Sequence, residues 1–113
     1  MLNIEKMPFK WVKNIMKKIK DRQDELTRRK IKALEKKAYD YYLTLYLNEN
    51  AGKVDFHPDL YLSGRIVCVP ARKKAIVEVC RIVVQGPERI NQCYKILLEN
   101  ARELEKAQRA KRA

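Results

Sequence analysis

Apolar residues return at helical spacing early in the chain. Val12, Ile15, Met16 and Ile19 fall at i, i+3, i+4 and i+7, while Lys10, Lys13, Lys17 and Lys20 lie on roughly the opposite side of the same cylinder. From Pro8 to Leu47 no further proline or glycine interrupts this pattern. The stretch reads as one long helix or as two joined near residues 20 to 25, because Lys20 to Glu25 (KDRQDE) offers no apolar side chain to hold it straight. Pro8 suits a first helical position, where its missing N–H costs nothing. Beyond Leu26 the stripe resumes as Ile31, Leu34, Ala38, Tyr41 or Tyr42 and Leu45, with Arg28, Arg29, Lys30, Lys32, Lys36 and Lys37 between.

Tyr39 to Leu47 (YDYYLTLYL) is apolar nearly all round and reads as the part of this helix that enters the core, stopped by Asn48 to Gly52 (NENAG). Residues 48–69 form an irregular connection with one helical turn expected at Pro58 to Leu62. The next segment has two readings. Ile66 to Val69 and Ala75 to Val84 are rich in β-branched residues, which favours a hairpin at 65–84. Pro70, Gly86 and Pro87 instead supply a matched start and stop for a helix with the stripe Ile76, Val79, Cys80 and Val83, which is the preferred reading. A final helix opens at Pro87, carries Ile90, Cys93, Leu97, Ala101 and Leu104 on one stripe, and ends in the basic run Lys106 to Arg112.

The expected fold is therefore all-α: a long basic N-terminal helical arm, with a bend expected near 20–25, over residues 1–37 and a small C-terminal helical bundle within a core domain at 38–113; the alternative is α+β. With Gly86-Pro87 as a tight turn, the last two helices should run antiparallel and bring Cys80 and Cys93 together, with a disulfide between them as one outcome and two buried thiols acting as small apolar groups as the other.

Charge changes the picture from fold to partner. The 113 residues carry a formal net charge of +12. Residues 1–37 hold 13 Lys and Arg against 5 Asp and Glu, or +8, leaving +4 for the remainder. So polarised an excess points to an anionic partner, because unneutralised charge at this density opposes compaction. Composition adds a lean towards a hot habitat: one Ser, two Thr, one His and four Gln stand against many Lys, Arg and Glu. In such a setting intracellular disulfides are admissible.

Catalytic chemistry is hard to assemble from one His, one Ser, three glycines and three widely spaced cysteines, so the chain reads as no enzyme, with no cofactor and no metal. Asp55, His57 and Asp59 alternate like metal ligands, but turn and cap roles account for them more simply. No apolar run is long enough to span a membrane, and no secretory signal is evident.

The leading functional reading is sequence-independent binding and packaging of nucleic acid, double-stranded DNA first and RNA left open, by Lys10, Lys13, Lys17, Lys18, Lys20, Arg28, Arg29, Lys30, Lys32, Lys36 and Lys37, with Phe9 and Trp11 as aromatic contacts. The alternatives are a membrane-surface protein that lays Phe9, Trp11, Val12, Ile15, Met16 and Ile19 into lipid, and a cellular chromatin- or ribosome-associated structural protein. In layout, a small helical chain with a basic arm (Lys10 to Lys37), a tyrosine-rich junction and an apolar helical C-terminal half resembles the major capsid proteins of filamentous viruses of hyperthermophilic archaea. The resemblance covers architecture and composition, carries no diagnostic motif, and departs in the three cysteines. It implies paired copies, as a homo-oligomer or a heterodimer of paralogues, that wrap linear DNA in the A form and stack into a helical filament, sometimes with a lipid envelope in contact. The implied location is the virion; for a cellular protein it would be cytoplasm or nucleoid.

Overall fold

The structure is a computed structural model that describes residues 3–112. Among these residues it is entirely helical, so the preferred all-α reading holds and the hairpin at 65–84 does not form. A short 3-10 turn, Ile4–Lys6, precedes α1 (Phe9–Arg22), α2 (Glu25–Asn50), α3 (Pro58–Leu62), α4 (Val69–Val83) and α5 (Pro87–Arg112).

The expected break comes where the apolar stripe lapses. Gln23 is extended, with φ −91° and ψ 156°. Asp24 then caps α2, its carboxylate accepting a 2.7 Å hydrogen bond from the Thr27 backbone N–H. That bond holds the Asp24 carboxyl below its ordinary pKa. Further along, α2 continues through Asn50, whose side-chain amide donates to the Tyr46 carbonyl at 2.8 Å, and stops only as Gly52 takes a φ of 83°. Proline beats β-branching at α4: Pro70 sits in the first turn, and Gly86 with φ 106° reverses the chain before Pro87. The bulky β-branched side chains of Val79 and Val83 are then buried along one stripe, where packing outweighs their modest helix propensity.

The core corrects the expectation that it would lie in the second half. Val12 and Met16 of α1 and Ile31 and Leu34 of α2 join Val79, Cys80 and Val83 of α4 and Ile90 of α5 in one cluster. Val12, Ile31 and Ile90 are completely buried. Burying each such side chain contributes about 1.5–3 kcal/mol, enough to fold the apolar side of the basic segment onto α4 while its charged side stays in water. The core therefore crosses the boundary drawn at residue 37, and the basic segment does not stand apart as an arm. A second, smaller cluster gathers Leu43, Cys68 and Ala71 with Tyr39, Tyr42, Tyr46, Leu47 and Tyr61. The Tyr39 hydroxyl accepts from the Cys68 N–H at 3.1 Å, tying the connection to α2.

Cys68, Cys80 and Cys93 are all free thiols. Cys80 is buried in the main cluster and Cys93 packs partly buried against it, so both act as small apolar groups. Burial pushes the Cys80 thiol up.

From Leu98 to Arg112 every residue of α5 is exposed. At 1.5 Å per residue this 26-residue helix is about 39 Å long, against a largest molecular extent of 41 Å. The radius of gyration, 16.2 Å, exceeds the roughly 13 Å of a compact chain of this length, as a projecting helix requires.

Candidate functional site

The predicted basic residues all sit on α1 and α2, and the folding of those helices divides them. The two helices are tied by the Lys20–Glu35 ion pair at 2.5 Å. On one side of that tie a groove of about 950 Å³ opens between α1, α2, α3 and α4. Lys13, Lys17 and Lys20 of α1 and Lys32 and Lys36 of α2 line it, joined by Arg72 of α4, which the sequence reading missed. Arg72 gives no signal of its own, since its relevance comes only from α4 packing against α1 and α2. Asp21, Glu35 and Asp40 share the rim. The floor and far wall are apolar: Met16, Leu43, Ala75 and Ile76 with Tyr61, Leu62, Ile66 and Val67.

The remaining predicted cations lie outside the groove. Lys30 faces the other flank of α2, donating to Asn91 Oδ1 at 2.9 Å and lying 5.7 Å from the Tyr94 ring centre, so it serves the junction with α5. Arg29 pairs with Glu25 one turn away at 2.9 Å. Lys10, Lys18, Arg28 and Lys37 are exposed. Of the eleven predicted cations, only Lys20 and Arg29 have a carboxylate partner among the described residues. The surface thus carries a net positive charge spread over two helices.

The predicted aromatic contacts diverge. Phe9 is held within the molecule, with Lys73 Nζ 5.5 Å and Lys13 Nζ 5.8 Å from its ring centre. Trp11 is 58% exposed and free to meet a partner. The tyrosines serve the fold: Tyr46 stands edge-on to Tyr61 at 5.7 Å, and its hydrogen bond to that residue raises its pKa. Tyr42 is likewise raised, by burial and then by Glu78.

Asp55 turns the chain with a φ of 66°, His57 precedes α3 and Asp59 lies in its first turn. Among the described residues no three His, Cys, Asp or Glu side chains group closely enough to hold a metal ion. Nor is any described helix long and apolar enough to cross a membrane. No family model matches the chain, and no curated protein or solved structure matches it.

Proposed function

We propose that the protein is a non-enzymatic, sequence-independent nucleic-acid-binding protein that packages double-stranded DNA by assembling on it, in the manner that its resemblance to filamentous-virus capsid proteins suggests. The observation that carries this reading is the field of cations on α1 and α2, nine of the eleven without a carboxylate partner among the described residues. Such charge gains most from a partner that brings many phosphates at fixed spacing and releases its condensed counterions on binding. Lys and Arg projecting from helix surfaces contact phosphates without reading bases, so unrelated sequences should bind alike.

The membrane-surface reading loses its main support, because Val12 and Met16, the residues that would enter lipid, are buried in the core.

A titration of random duplex DNA against the purified protein over a salt series tests the proposal. Affinity should fall steeply with salt and vary little with sequence, and electron micrographs of the mixture should show regular rods. Absence of binding at low salt would refute it.

A further inference from the structure

Phosphate binding has no use for the floor of the groove. A phosphate backbone needs cations, whereas the apolar wall formed by Leu62, Ile66 and Val67 remains in water, with Leu62 alone 65% exposed. At the opposite end of the chain the outer half of α5 has the reverse problem. Leu97 still packs on the core, and Ala101 and Leu104 carry the stripe that Ile90 begins out past it. Beyond the body this stripe meets nothing, and Leu104 is 59% exposed.

The two surfaces match in charge as well as in polarity. Within Ile96 to Glu105 the charges are Glu99, Glu103 and Glu105 against Arg102, a net −2. The groove sets Lys13, Lys17, Lys20, Lys32, Lys36 and Arg72 against Asp21, Glu35 and Asp40, a net +3. We infer that the groove receives the Ile96 to Glu105 segment of α5 from a second copy of this chain, apolar stripe inward and glutamates towards the lysine rim.

The segment cannot come from the same copy. Lys30, which faces α5, and Lys32, which faces the groove, stand about 200° apart around α2 at 100° per residue. The outer half of α5 would have to break its own helix to cross to the far side. From a second copy it can enter intact. Its basic end begins at Lys106, one residue past the seated segment. Groove and helix are different surfaces, so the contact either closes as a reciprocal two-fold pair or, repeated head to tail, runs on as a ring or filament of copies. It would supply the self-association that the proposed packaging role needs, yet it requires no nucleic acid.

Sedimentation velocity of the full chain without nucleic acid tests this inference. Two variants isolate the two halves of the contact, Leu104→Asp on α5 and the pair Leu62→Asp with Val67→Asp on the groove wall. All three positions are exposed, so helix content by circular dichroism should match the wild type, and none of the basic residues is touched. The wild type should associate, each variant alone should be monomeric, and an equimolar mixture of the two should form a 1:1 dimer, since each partner keeps the half that the other has lost. A monomeric wild type, association that survives Leu104→Asp, or a mixture that stays monomeric would overturn the inference. Duplex binding by the monomeric variants at low salt separates the two questions. Lost association with retained binding upholds the docking, whereas association without DNA binding refutes only the nucleic-acid reading.

Discussion

The first helix and the outer half of the last carry the same kind of pattern and meet opposite fates. Both alternate an apolar stripe with a charged remainder. In α1 the stripe vanishes into the molecule, with Val12 fully buried. In α5 it runs off the end of the body and leaves Leu104 in solvent. Periodicity fixes which side of a helix seeks cover but not what covers it. For α1 the cover is α4, brought within reach by the turn at Gln23 and the long return through α2. For the end of α5 no described element supplies the cover, and the proposed cover is another copy.

Paired substitutions put that contrast to the test. The largest difference should appear between Ile31→Ala and Leu104→Ala in urea unfolding at a concentration low enough to keep the protein monomeric. Ile31 is fully buried, and removing its methyl and methylene groups should cost about 2–5 kcal/mol. Leu104→Ala should stay within about 0.5 kcal/mol, because nothing in the same molecule packs on it. Equal losses at the two sites would mean that α5 is covered within the monomer.

Next in size is a difference in thiol chemistry. Cys80 is fully buried with its pKa pushed up, and the thiolate is the reacting species. Labelling of the native protein by a thiol reagent should therefore leave Cys80 unmodified long after the half-buried Cys93 has reacted. Mass mapping without reduction should show no Cys80–Cys93 crosslink.

The smallest expected effect lies at the joint between the two helices. Asp24→Ala removes the cap of α2 and should lower the melting temperature modestly near neutral pH. Because its folded pKa lies below the ordinary carboxylate value, the stabilisation is complete above that value and is lost as the pH falls through the lowered one. Melting curves of wild type and variant should converge in acid.

Much of this architecture was legible in the residues. The Pro70, Gly86 and Pro87 punctuation located α4 against the pull of its β-branched side chains, and the apolar gap at Lys20 to Glu25 located the break. Both are local signals, carried by backbone constraints within a few residues. What escaped was tertiary. The positive charge of residues 1–37 suggested an arm held away from the core, yet charge constrains one side of a helix only, and Val12, Met16, Ile31 and Leu34 were free to bury the other. That α5 packs on α2 as well as on α4 depends on surfaces distant in sequence. Division of the lysines between a groove and an open surface, and the arrival of Arg72 among them, likewise follow from packing alone.

The most direct test of the nucleic-acid reading compares two sets of basic residues on the same duplex. One variant replaces Lys10, Lys18, Arg28 and Lys37, exposed on α1 and α2 outside the groove, with glutamine; the other replaces Lys106, Arg109, Lys111 and Arg112 at the end of α5. Binding of random duplex DNA is then followed across a salt series. If α1 and α2 contact the phosphates, the first variant should flatten the slope of log K against log salt by roughly three to four, about 0.9 for each lost contact, and the second by less than about one. Equal slopes for the first variant and the wild type would contradict the placement of the phosphates on these helices.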